Sequence, residues 1–387
     1  MIPRFLLAVG LAVLMVVSGV TSYVYLGSRQ SRVAAPVQKP PTVTPRPQAF
    51  SLPGTLYLAQ SGALYSFSAG RFHQLTSEDG WMQPALYPDG SALLAVKRNG
   101  FFSDVYKLTR FGEVVSQLTN NQAAPRYRWD PGANTWSFYP RLSPDGGTLL
   151  MSYEGPKYGY FNGYSFDDYN INFAVWAVPI GAPIRQGRQW TTPNDYTGGD
   201  VQPLAPPSGG IIYTKYDYDP DGNRVGQLWF TNRAGSLGKA LTSQAAACAQ
   251  PSISPDGANI AMVCTYGKQI SYLTIATWNG SSLGTLRTVI SDQLVAQPIW
   301  APDGSGIAYL APGGATGPFQ LWFLPKNAYN PPPPPPVPTP TPTPGGPHNS
   351  PFPSPTPSPI PPPPVVKPIQ VTTNLGFDAT SPLAWIG

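Results

Sequence analysis

From residue 54 onward the chain alternates short apolar runs with turn residues. The runs Leu93-Leu94-Ala95-Val96, Leu149-Leu150-Met151, Ile211-Ile212-Tyr213, Ile260-Ala261-Met262-Val263 and Ile307-Ala308-Tyr309-Leu310 are too short for helices and have strand length. Each follows a turn signal: Pro88-Asp89-Gly90, Pro144-Asp145-Gly146, Pro255-Asp256-Gly257, Pro302-Asp303-Gly304, or the degraded Pro207-Ser208-Gly209. In such a turn Pro sets φ, Asp bonds the local backbone and Gly takes positive φ. A second apolar stretch before each turn makes the unit a β-hairpin.

The hairpins repeat. A proline stands five residues before each turn Asp (or Ser208): Pro84, Pro140, Pro203, Pro251 and Pro298. A sixth copy, Pro382-Leu-Ala-Trp-Ile-Gly387, stops where its own Asp would fall. A further strand follows in most units, for instance Gln227-Leu228-Trp229-Phe230. A fourth is marked by Gln74-Leu75-Thr76, Gln117-Leu118-Thr119, Gln189-Trp190-Thr191, Ala240-Leu241-Thr242, Thr288-Val289-Ile290 and Gln370-Val371-Thr372. Four-stranded units at a spacing of about 47 to 63 residues predict an all-β, six-bladed β-propeller. The segment from Thr55 to Thr76 lacks an innermost strand, and the carboxyl terminus supplies one without the rest of a blade. The ring is therefore expected to close through the C-terminal strand, which removes open edges.

The repeated Ser/Ala-Pro-Asp-Gly units resemble those of TolB-like propellers and of the propellers attached to prolyl oligopeptidases. The resemblance covers about residues 54–330 and 368–387. It implies the propeller fold and an extracytoplasmic binding or scaffold role. It says little about activity, because one propeller hosts many functions.

Residues 1–28 hold an uncharged run from Phe5 to Leu26, long enough to cross a bilayer as a transmembrane helix, and read as a transmembrane anchor or signal segment. A Pro/Thr-rich linker spans 29–53, and the propeller spans 54–387. Within it, 331–367 is a proline-rich insertion expected to be disordered or polyproline II, between the third and fourth strands of blade five. Arg29 and Arg32 favour a cytoplasmic side for the chain after the run. The signal-like position and the stalk-like linker place the propeller outside the cell membrane instead. The two cysteines agree with this: Cys248 and Cys264 face each other across the hairpin turning at Pro255–Ala258, within disulfide reach, and a disulfide implies an oxidising compartment. The net charge of +5 is spread without a basic run, which argues against a nucleic-acid partner.

Candidate chemistry is sparse. Of two histidines, His348 sits in the proline tract, so any histidine-based catalytic or metal site must involve His73. Asp217, Asp219 and Asp221 have the spacing of the start of a calcium loop, but Leu228 stands where its last carboxylate belongs, and a β-turn accounts for them. Gly280-Ser281-Ser282-Leu283-Gly284 matches a nucleophile elbow without the helix such an elbow needs. No cofactor is expected. The aromatic concentration is the strongest pointer to function. Tyr127, Trp129, Trp136, Phe138 and Tyr139 are read as the loop between blades one and two. Tyr158, Tyr160, Phe161, Tyr164, Phe166 and Tyr169 are read as the loop between strands two and three of blade two, beside Asp167, Asp168 and Asn170. Both loops are expected on one face, where they would meet a protein, peptide or glycan. The alternative is a propeller-type hydrolase or lyase acting at the central channel.

Overall fold

The computed structural model describes residues 51–122, 134–155, 172–268, 270–314, 317–330 and 366–387, together with the backbone alone of 160–161 and 166–167. The apolar run of residues 5–26 and the proline tract of 331–365 lie outside the described residues. Among those described, no helix is long and apolar enough to cross a membrane.

The described residues build six four-stranded antiparallel sheets. In blade one the strands run Trp81–Leu86, Ala92–Asn99, Phe102–Thr109 and Val114–Gln117, in sequence order from the centre outward. Blades two to five repeat this with inner strands Ser137–Leu142, Asp200–Leu204, Cys248–Ile253 and Ala296–Trp300. In blade five the third strand, Phe319–Pro325, pairs with Ile369–Gln370 on the far side of the proline tract. The sixth blade is composite. Ala384–Ile386 pairs antiparallel with Thr55–Tyr57, and the sheet continues through Ala63–Ser68 to Arg71–Gln74.

Six buried apolar clusters lie between the sheets, one for each neighbouring pair of blades. The cluster between blades five and six joins Leu310, Leu321 and Phe323 to Leu56, Leu58, Leu383 and Trp385. Each sheet thus buries both faces, which one sheet alone could not do.

The two sequence elements have separate jobs. In the Asp-Gly turns, Asp89, Asp145, Asp256 and Asp303 each accept, at 2.9–3.0 Å, from the backbone N–H two residues on. The glycine after each takes φ near +70°, which a side chain resists. The outer element works through its threonine. The hydroxyls of Thr76, Thr119, Thr191, Thr242 and Thr372 accept the N–H of Leu64, Val105, Val175, Leu228 and Leu321 at 2.9–3.0 Å. The short outer strand ends there, yet the third strand's donor stays satisfied. Blade four has Ile290 at this position and lacks the bond.

A disulfide joins Cys248 to Cys264, which face each other in register with Cα atoms 4.0 Å apart. Both are fully buried. Replacing both by alanine releases a loop with a sequence separation of 16. The expected loss is about 3 kcal/mol on chain-entropy grounds, read as a lower urea midpoint at unchanged slope. An unshifted midpoint would show that the rest of the hairpin already holds these strands in register.

Candidate functional site

The inner strands surround a central channel, and their geometry starts from one unusual residue in each of blades one to five. Gln83, Tyr139, Gln202, Gln250 and Gln297 each stand just before the motif proline, and each has φ between +51° and +58°. Every one sits at a register shift between the first and second strands, the signature of a β-bulge. Left-handed backbone at a non-glycine residue costs on the order of 1 kcal/mol or more. The proline that follows has no N–H to leave unpaired in the bulge.

A hydrogen-bonded ring offsets that strain, because the bulge turns the backbone N–H of these residues away from their own sheet and toward the preceding blade. Tyr139 N–H donates to Gln83 Oε1 at 2.6 Å, Gln250 N–H to Gln202 Oε1 at 3.0 Å, and Gln297 N–H to Gln250 Oε1 at 2.7 Å. Gln202 N–H donates to Ser152 Oγ of blade two at 3.2 Å. At the composite blade, Ser381 Oγ accepts from Gln83 N–H at 2.7 Å, while Gln297 Nε2 donates to the Ala379 carbonyl at 3.0 Å. All six blade boundaries are bridged. Gln83, Gln297 and Ser381 are buried, so these bonds lie where water competes poorly.

Two cavities share Tyr139. One, of about 350 Å³, fills the channel from this ring toward the Asp-Gly turns. Its wall is largely apolar, with Leu204, Ile253, Ile299, Trp300, Leu383 and Trp385, and it includes Arg141. The other, of about 320 Å³, opens at the opposite end and is lined by Arg98, Phe138, Tyr139, Phe173, Tyr216 and Arg224 among others. Around this second cavity Trp136 stacks on Phe138 at 5.7 Å, with the Arg98 guanidinium over its ring at 5.5 Å. Arg224 covers Tyr216 at 5.1 Å. Burial pushes the Tyr139 phenol far up and also raises Tyr216, so both stay protonated at neutral pH. Burial lowers the Arg141 guanidinium to about 10, which still leaves it charged at neutral pH.

The structure sorts the aromatic residues differently from the sequence reading. Phe138 and Tyr139 are not loop residues. The inner strand of blade two begins at Ser137, before the motif proline, because the bulge at Tyr139 lets the ladder continue past Pro140. Trp136 precedes it in an isolated bridge to Ser103. Tyr127, Trp129, Tyr158, Tyr164 and Tyr169 lie outside the described residues, as do Asp168 and Asn170. The backbone of Tyr160–Phe161 pairs with Phe166–Asp167 in a small hairpin apart from the six blades.

Other sequence candidates are dispersed. Asp219 caps its own turn, accepting from the N–H of Asp221 and Asn223, while Asp217 accepts from Asn194 Nδ2. This is a β-turn between Ile211–Tyr218 and Arg224–Thr231. Among the described residues no group of three or more His, Cys, Asp and Glu could hold a metal ion. His73 is exposed on an outermost strand. Ser281 and Ser282 are organised by Asn279, whose side-chain oxygen accepts both of their N–H groups in a loop.

These features define the class: a six-bladed β-propeller closed by its carboxyl-terminal strand. No protein-family model matches the chain, and no curated protein does. Solved structures do. TolB from Acinetobacter baumannii is similar with a TM-score of 0.50 and 18% identity, over 71% of this chain and 62% of that one. A putative TolB from Agrobacterium tumefaciens gives 0.47 and 13%, over 72% and 87%. A Mycobacterium tuberculosis puromycin-hydrolysing peptidase gives 0.46 and 11%, over 72% and 46%. The chain spans less than two thirds of the Acinetobacter protein's length. At these identities the likeness is one of fold.

Proposed function

We propose that this chain is a membrane-tethered, extracytoplasmic propeller of the TolB-like kind that binds a protein, peptide or glycan partner and performs no catalysis. The observation that carries the reading is the second cavity, where rings and guanidinium groups gather at one mouth of the channel: Trp136, Phe138, Phe173, Tyr216, Arg98 and Arg224. Aromatic and arginine side chains carry much of the energy in recognition surfaces. The second and third strands of blade two meet this end at Tyr153 and Ala174, and the sequence between them is rich in Tyr and Phe. The buried disulfide supports an oxidising compartment, and the apolar run of residues 5–26 supports the tether.

The test is capture of a partner from native envelope extract by wild-type protein and by Trp129→Ala and Tyr164→Ala. Both variants are expected to lose capture while melting within about 2 °C of wild type. Variants that unfold would show that these rings cover the blade rather than meet a partner.

A further inference from the structure

Among the described residues, the channel cavity holds a charge that no acidic neighbour balances. The position after each motif proline is Ala85, Arg141, Leu204, Ser252, Ile299 and Leu383 around the six blades. Five are uncharged; blade two alone places a guanidinium there. No acidic residue lines this cavity, and Tyr139 is its only other ionisable group. Among the described residues Arg141 has no ion pair and no hydrogen bond, and burial is the sole influence on its proton affinity. A propeller needs no arginine here for its fold, because the equivalent residues close the same wall with apolar or small side chains. A half-buried cation without a counter-charge costs stability, and such a cost is commonly kept where a ligand supplies the missing charge.

We infer that the channel cavity binds a small organic monocarboxylate, with Arg141 taking the carboxylate and the apolar wall taking the body of the ligand. The planar guanidinium presents a two-pronged donor edge that fits a carboxylate. Tyr139 and Ser252, which both carry a hydroxyl, also line this cavity. Leu204, Ile253, Ile299, Trp300, Leu383 and Trp385 suit an aliphatic or aromatic body. The volume of about 350 Å³ is at the lower end of small-molecule sites. One cation matches one negative charge; a dianion such as a phosphate monoester would leave a charge unpaired in an apolar wall. This site shares Tyr139 with the aromatic mouth but does not depend on the reading given for it.

The experiment is calorimetric titration of the full protein with phenylacetate, phenylacetamide and phenylphosphonate, on wild type, Arg141→Met and Arg141→Lys. Phenylacetate is expected to bind wild type with a dissociation constant of about 0.1–1 mM, within the range for about ten heavy atoms. The neutral amide and the phosphonate are expected to bind at least about tenfold more weakly, and Arg141→Met to lose phenylacetate by a similar factor. Arg141→Lys keeps the charge but not the fork and should fall between them. Without ligand, Arg141→Met should melt higher than wild type, and phenylacetate should raise the melting temperature of wild type by more than that of either variant. Equal binding of amide and acid, undiminished binding to Arg141→Met, or no heat with wild type at about 10 mM phenylacetate would overturn the inference. If Arg141→Met failed to fold, Arg141→Gln would carry the same comparison; tighter phosphonate binding would assign the site to phosphoryl anions instead.

Discussion

Removing Pro382–Gly387 is expected to destabilise all six blades, not just the last. The deleted residues form the only inner strand of the composite blade, paired with Thr55–Tyr57. Leu383 and Trp385 are buried in the cluster between blades five and six. The Trp385 indole also donates to the Pro53 carbonyl at 2.7 Å, fastening the last strand of the propeller to the residues just before its first. Losing Trp385 alone should cost about 3–5 kcal/mol. The truncation adds the Leu383 contacts and a strand of ladder bonds, and it exposes the edge of Thr55–Gln60 to other chains. Against a total stability of about 5–15 kcal/mol, most of the margin would go. A melting temperature lower by about 10 °C or more, with concentration-dependent aggregation, is the expected result. Trp385→Ala should move it part of the way. A truncated protein that melts like wild type would mean that the ring is held shut without this strand.

Much of this architecture is legible in the sequence because its signals are local and repeated. The turn needs Pro, Asp and Gly side by side, and the outer strand ends on a threonine that bonds within its own blade. The composite blade is legible because each half lacks what the other has. The channel ring is different. Gln83, Gln202, Gln250 and Gln297 share one place, just before the motif proline, so a repeat signal exists. Its meaning does not, because these side chains act on a neighbouring blade 47 to 82 residues away, and Tyr139 and Ser381 fill the same place with other chemistry. Phe138 and Tyr139 were readable as loop residues for a related reason. A bulge before a proline resembles a strand end until the partner strand is known. Arg141 stands out only once the blades are superposed and the five uncharged equivalents appear beside it.

Lys215→Met is expected to be the most damaging single substitution of a charged residue in the described blades. Asp200 opens the inner strand of blade three, and Lys215 lies opposite it on the second strand. Both are buried, with Lys215 Nζ 3.3 Å from Asp200 Oδ1 and 3.0 Å from the Thr192 carbonyl. The lysine also lies 5.6 Å from the centre of the Trp229 ring. Methionine can refill the volume but leaves the carboxylate buried and uncompensated, a loss of about 3–5 kcal/mol. Asp200→Leu/Lys215→Met should recover most of it, since the damage comes from the orphaned charge. The sign of the pH dependence comes from the carboxyl. Burial raises the Asp200 pKa, and the Lys215 charge opposes that rise, so removing Lys215 lets it climb further. Between the ordinary aspartate range near 4 and the raised folded value, the native state holds a proton that the unfolded chain has lost. Stability in Lys215→Met therefore falls as pH rises through that window and returns as pH drops. The deficit relative to wild type, measured by urea unfolding, should shrink from about pH 8 to about pH 5. A deficit of constant size across that range would place the loss in packing against Trp229, not in the charge on Asp200.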